Sequence, residues 1–346
     1  MRKGVFQPYI SILIAAYNEE SHIEETIRNK LNLNYPREKM EIIVISDGST
    51  DRTEEIVGKC ESQGVKLLRQ NPRSGKTSAL NMAVPKASGE ILVFSDANSI
   101  YNIDAIEKLV ENFYDPAVGY VTGKMIYTNP DGTAIGDGCT GYMKYENFLR
   151  DIETKVGSIV GVDGGIDAVR KQLYQPMNPD QLPDFVLPLI IVEEGYRVVY
   201  EPEAILREDS LNKSQDEYRM RVRVTLRSLW ALWDMRQILS IKKFKLFAWQ
   251  LWSHKVLRYF CFLFLMIVYF SNMALWSEGI FYKVYFLLQN GAYLGALIAI
   301  ILERGGLKSG LLYVLSYFVL LNLASAHAFM KFILGQKQVI WTPRNG

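Results

Sequence analysis

The sequence predicts an α/β domain with a mostly parallel central sheet, then interfacial amphipathic helices and about three transmembrane helices. Three observations predict it. Short apolar runs alternate with segments long enough for helices, which is the pattern of a sheet covered on both faces. Polar clusters follow three of those runs directly, at the strand ends where open α/β sheets place ligands. Beyond residue 255, three long stretches carry almost no charge. The implied boundaries are a catalytic-type domain at 1–215, interfacial helices at 216–255, a membrane region at 256–334 and a tail at 335–346.

The first apolar run is Tyr9–Ala15, and it leads into Tyr17-Asn18-Glu19-Glu20. Ser21 suits the cap of a helix reaching about Leu31. Met40–Ile45 reads as the second strand, ending in Asp47-Gly48-Ser49, with a helix to about Cys60. Val65–Leu68 is a short third strand, and Thr77–Val84 is helical. Ile91–Ser95 is a fourth strand, ending in Asp96-Ala97-Asn98. A helix at Ile103–Phe113 and a fifth strand at Gly119–Gly123 complete the series.

The expected membrane spans are 256–276, 280–302 and 311–334, with one charge each: Arg258, Lys283 and Lys331. At about 1.5 Å per residue, each reaches across roughly 30 Å of hydrocarbon. Gly291 and Gly295 form a GxxxG spacing suited to helix packing. Lys242, Lys243, Lys245, Lys255 and Arg258 favour a cytoplasmic start for the first span. Arg304 and Lys308 place the second loop on that side too, whereas three crossings put Lys337 and Arg344 outside. Sequence leaves that parity open. The arginines and tryptophans between Arg219 and Trp252 read as helices lying in the membrane interface. No signal peptide precedes the first strand, so the domain is expected in the cytoplasm.

Composition excludes other classes. Lys and Arg total 39 against 37 for Asp and Glu, too balanced for a nucleic-acid binder. Cys60, Cys139 and Cys261 are scattered without a CxxC pair, which disfavours disulfides and thiolate zinc. His22, His254 and His327 are equally dispersed. Ser74-Gly75-Lys76-Thr77 imitates the end of a P-loop, but Gln70 occupies the place of the required glycine. Lys76 at a helix start still suits an anion. Asp96 and Asn98, two apart at a strand end, suit one Mg²⁺ or Mn²⁺ shared with substrate phosphates.

Taken together, SILIAAYNEE (11–20), VISDGSTDRT (44–53), RSGKTSALN (73–81), FSDANS (94–99), GVDGGIDAVRK (161–171) and PDFVLPLIIVEEGYRVVYEPEA (183–204) carry a family resemblance. Over roughly residues 8–250 the chain resembles the membrane-anchored family 2 glycosyltransferases related to cellulose, chitin and hyaluronan synthases. The resemblance implies a GT-A-type nucleotide-sugar-binding domain. It implies that Tyr17, Glu19 and Asp47 border the nucleotide, and that Asp96 and Asn98 stand at the family's Asp-x-Asp metal and diphosphate site. It places Gly164 and Gly165 in the loop beside donor sugar and acceptor. Asp184 matches the last residue of Thr-Glu-Asp, the catalytic base, with Pro183 replacing the preceding acid. Arg221 and Arg223 are what remains of Gln-Arg-x-Arg-Trp, whose Trp is absent here.

These roles amount to an inverting transfer. Asp184 takes the acceptor hydroxyl's proton, while Lys76, Arg221, Arg223 and a divalent ion on Asp96 meet the charge of the leaving diphosphate. The expected donor is a nucleoside diphosphate sugar, by family default a UDP-sugar, with GDP and dTDP left open. The expected acceptor is a lipid-linked or cell-envelope glycan, met at the membrane. A processive polysaccharide synthase, working as a homo-oligomer or with partner subunits, is the alternative. An inactive nucleotide-sugar-binding scaffold is a third, weakened by the presence of both Asp96 and Asp184.

Overall fold

The computed structural model describes residues 2–128, 134–209, 214–304 and 310–340. The side chain of Cys139, together with Lys308 and Arg344, lies outside the described residues. Eight strands form one sheet: β1 (Ile10–Ala16), β2 (Met40–Ser46), β3 (Val65–Arg69), β4 (Ile91–Asp96), β5 (Ile100–Tyr101), β6 (Val118–Thr128), β7 (Ile166–Arg170) and β8 (Arg197–Asp209). Their order is β3-β2-β1-β4-β7-β6-β8-β5. The β3-β2-β1-β4 half is parallel, with Ile12 opposite both Ile42 and Val93. The other half is mixed, because β7 runs antiparallel to β4 and β6 while β6 and β8 run parallel. With β5 also antiparallel to β8, the sheet is mixed, and four of its seven strand pairings are parallel.

Alternate residues of the parallel strands feed two apolar layers. On one face Ile12, Ile42 and Val93 pack with Ile23 and Ile27 of α1 (Ile23–Leu31), Val57 of α2 (Thr53–Lys59) and Leu109 of α4 (Ala105–Glu111). On the other, Leu13, Ile43 and Leu92 pack with Leu80 of α3 (Lys76–Ala83) and Leu189 of α6 (Pro183–Glu193). The expected Ser21 cap does not form. Helix α1 begins at Ile23 without a side-chain cap, and Ser21 Oγ meets His22 Nδ1 instead.

The second layer continues into the C-terminal region. Phe247 and Leu251 of α8 (Ile241–Leu251) and Val256 join the same core as Leu13 and Phe94. Between the layers and the tail run α5 (Ala134–Val156) and α7 (Ser214–Asp234). The expected span at 256–276 is not one helix. A π-helical turn at Trp252–Val256 and a short α9 (Leu257–Tyr259) precede a break at Phe260, and α10 (Cys261–Ala274) leaves at 62°. Helix α10 has 14 residues, about 21 Å, short of the roughly 30 Å a crossing needs. Helices α11 (Ile280–Arg304) and α12 (Gly310–Ile333) are each long and apolar enough to cross a membrane. Among the described residues this makes two candidate spans, or three if the bent pair is one. After α12 the chain turns back onto the domain. Trp230 Nε1 donates to the Gln336 carbonyl at 2.8 Å, and Lys337 Nζ lies 2.6 Å from Asp180 Oδ2.

Candidate active site

The polar ends of β1, β2 and β4 open on one side of the sheet, because these strands are parallel and in register. Tyr17 follows β1, and the Arg73 guanidinium stacks on its ring, 3.4 Å from the centroid. Glu19 holds the start of α1 and α2 together: its amide donates to Thr53 Oγ1 at 2.8 Å, and its carboxylate lies 3.4 Å from His22 Nδ1.

Asp47 is fully buried, not aimed into open solvent. Its Oδ1 accepts from Gln70 Nε2 (2.5 Å) and the Ser74 amide (2.8 Å), and its Oδ2 from the Gly75 amide (2.9 Å). Asp47 thus folds the 70–76 loop around itself. That loop delivers Lys76 at the first turn of α3. The tail also meets this loop, since a Cβ on Gly75 would stand 3.1 Å from the Val339 carbonyl.

Lys76, Asp96, Gly164 and Asp184 converge. Lys76 Nζ is paired with Asp96 Oδ1 and lies 3.4 Å from the Gly164 carbonyl. Gly164 has φ +83°, and a Cβ there would stand 2.7 Å from Asp184 Oδ2. The bare Cα lets the carboxylate of Asp184, at the start of α6, lie against the loop. Burial pulls the Lys76 ammonium down, but Asp96 and Asp184 outweigh it and hold its pKa above the usual lysine value. Gly165 is fixed behind, its carbonyl accepting from Tyr101 Oη at 2.7 Å.

Two assigned residues are engaged elsewhere. Asn98 Nδ2 donates to Glu208 Oε1 on β8 at 3.1 Å. Arg221 and Arg223 sit about 200° apart around α7, so they cannot face one point. Arg221 is bonded to Glu217 Oε1 (2.8 Å) and to Tyr317 Oη of α12 (2.9 Å). Arg223 faces Arg227 instead. Burial draws Arg227 down to about 10, with Arg223 adding to the effect and Asp184 opposing it. Arg227 itself donates to the Asp180 and Gln181 carbonyls.

Sequence reasoning missed three acidic or basic groups around this centre. Asp163 is buried against Arg150, and Asp167 is the second residue of β7, buried as well. Burial pushes Asp167 up to about 7, with the charges of Asp163 and Asp184 adding to it, against the Thr122 and Tyr120 hydroxyls. Both aspartates lie within residues 161–171, and an acid that interrupts the apolar pattern of a strand is the signal that marks Asp167. Arg73, inside the quoted 73–81 segment, was the third.

Among the described residues no group of three or more His, Cys, Asp and Glu side chains is placed to hold a metal. One strand-end carboxylate, Asp96, with the Asn98 carboxamide nearby in sequence, fits an ion completed by substrate phosphates rather than a closed protein site.

Residues 11–172 match the model of glycosyl transferase family 2. The poly-beta-1,6-N-acetyl-D-glucosamine synthase of Staphylococcus aureus is 31% identical over 202 residues, 57% of this chain and 48% of that protein. The beta-monoglucosyldiacylglycerol synthase of Nostoc is 32% identical over 169 residues, 48% of this chain and 36% of that protein. The chain spans about half the length, or less, of these curated relatives. Among solved structures, the mannosyltransferase PcManGT of Pyrobaculum calidifontis, in complex with GDP-Man and Mn²⁺, superposes with a TM-score of 0.69. It is 21% identical and covers 97% of this chain and 90% of that one, a likeness of fold.

Proposed function

The chain belongs, through residues 11–172, to glycosyl transferase family 2, and on that premise we propose that it is an inverting glycosyltransferase. It moves a sugar from a nucleoside diphosphate sugar, with UDP the expected nucleotide, to a lipid-linked or cell-envelope glycan. The observation that carries this reading is the meeting of Lys76, Asp96, Gly164 and Asp184 at one place. Asp184 takes the proton of the attacking hydroxyl as the bond to the anomeric carbon forms. Lys76 and Arg223 meet the charge that develops on the departing diphosphate. Tyr17, Glu19 and Asp47 shape the nucleotide end, Asp47 through the loop it folds. Asp96, with Asn98, would hold Mg²⁺ or Mn²⁺, and such an ion would supply charge neutralisation to the leaving diphosphate.

Asp96→Ala should abolish the gain in donor affinity that Mn²⁺ or Mg²⁺ provides, measured by calorimetry on nanodisc-held protein. Equal metal dependence in the variant removes Asp96 from the ion site. The acceptor is tested by incubation with a radiolabelled nucleotide sugar and membrane lipid extract. Label in the organic phase supports a lipid acceptor. Label in a long water-soluble polymer supports the processive alternative, which the name of the Staphylococcus relative favours. Among the described residues two helices, or three if the bent pair is one span, are long and apolar enough to cross a membrane, and in the processive alternative a homo-oligomer or partner subunits complete the path for the glycan.

The chain is read as a multi-pass protein of the cell membrane with its catalytic domain in the cytoplasm. The bonds of Gln336 and Lys337 to Trp230 and Asp180 support an even number of crossings. Helices α11 and α12 then cross as a hairpin, and α8 to α10 lie in the interface among lipid headgroups. A cysteine at Gln336, in a chain without its native cysteines, should react with an impermeant maleimide only in inside-out vesicles. Labelling from the opposite face contradicts this arrangement.

A further inference from the structure

The segment 157–165, between α5 and β7, has almost no regular structure of its own, yet it presents Gly164 to Asp184. Its backbone is held by side chains of α5. Glu153 Oε2 accepts from the Val160 amide at 3.1 Å, and Arg150 Nε donates to the Gly161 carbonyl at 3.0 Å. Arg150 Nη1 also lies 2.7 Å from Asp163 Oδ1, with both side chains almost wholly buried. The other oxygen of Asp163 accepts from the Met125 amide of β6 at 3.1 Å. Asp163 is thus pinned from both sides, one residue before Gly164.

The same helix is bolted to the interfacial region. His254 bonds Glu153 through Nδ1 (2.9 Å) and Glu146 through Nε2 (3.2 Å), and Arg258 is paired with Glu146. Lys255 Nζ fills the space beside Gly161, where a Cβ would come within 2.6 Å of it. Glu146, Glu153 and Asp163 are taken up by Arg150, His254, Lys255 and Arg258, so the charged groups of this cluster are spent on one another. Its consequence is geometric.

We propose that Arg150 is a positioning residue, which through Asp163 and the Gly161 carbonyl sets the place of Gly164 and hence of the Asp184 carboxylate. The proposal rests on the reading of Asp184 as the base. Displacement of a reacting group by about 1 Å costs on the order of 100-fold in rate. In full-length protein in nanodiscs, Arg150→Met should lower kcat by about 10- to 100-fold, with donor Kd changed less than about twofold. Arg150→Lys should recover part of the loss, because it restores the charge but not the Gly161 bond. Asp163→Asn should lose kcat in the same way, and it carries the test with Arg150→Lys if Arg150→Met does not fold. The decisive variant is the double substitution Asp184→Asn/Arg150→Met, which should be no slower than Asp184→Asn alone.

A folded Arg150→Met with wild-type kcat overturns the proposal. So does a rate loss matched by lost donor affinity, or one that multiplies onto Asp184→Asn. If Asp184→Asn itself transfers sugar at the wild-type rate, the base assignment has failed. If Asp184→Asn is inactive and Arg150→Met is fully active, only the positioning role has failed.

Discussion

Asp184→Asn should reduce sugar transfer by about 10²- to 10⁴-fold, the usual worth of a positioned general base, while donor affinity changes less than about threefold. The substitution keeps the shape of the side chain and its place at the start of α6, so the loop around Gly164 has no steric reason to move. What it removes is the oxygen basicity needed as the acceptor hydroxyl attacks. An interaction made only in the transition state lowers kcat and kcat/KM together and leaves ground-state binding alone. Steady-state transfer assays and donor titrations on the same preparation separate the two. A variant that turns over at the wild-type rate removes Asp184 from the chemistry.

Gly164→Ala should be nearly as damaging, by a different route. The added Cβ would stand 2.7 Å from Asp184 Oδ2 and 3.0 Å from Asp184 Cβ. Atoms do not share that space, so either the loop or the carboxylate must move. The backbone gives no relief, because φ +83° already lies in the left-handed region, where a side chain costs about 1–2 kcal/mol. A rate loss of about 100-fold is expected from the displaced base. Donor affinity should persist, because Tyr17, Asp47 and Asp96 belong to other loops. Gly165→Ala makes a useful comparison: its Cβ would meet Leu206 Cδ2 at 2.7 Å, a side chain of the core rather than of the site. Equal, wild-type rates in both variants contradict the close approach of Gly164 and Asp184.

The parallel half of the sheet was legible because burial on both faces leaves unbroken apolar runs, as in Ile10–Ala16 and Met40–Ser46. The strand-end positions of Asp47 and Asp96 followed from that reading. The mixed half was hidden. Strand β7 interrupts its apolar pattern with Asp167, and the antiparallel pairing of β7 with β4 joins residues some seventy positions apart. The Arg150 cluster was hidden for another reason. Glu146, Arg150 and Glu153 recur at helical spacing, the pattern of a solvated face. The return of His254, Lys255 and Arg258 from the interfacial segment, together with the 160–163 backbone and Asp163, buries that stripe. The break at Phe260 left no trace either, since neither Pro nor Gly marks it. Arg221 and Arg223 were paired by motif, and the helix period separates them.

If Lys76, Asp96 and Asp184 act together to displace a nucleoside diphosphate from a sugar, that diphosphate is released on turnover. Nanodisc-held protein with Mn²⁺ or Mg²⁺ is offered UDP-, GDP- and dTDP-sugars, with and without membrane lipid extract. Release is expected from one nucleotide class, raised by the lipid extract and lost in Asp184→Asn. Release that is unchanged in Asp184→Asn, or no release from any donor by folded protein supplied with lipid, contradicts that joint action.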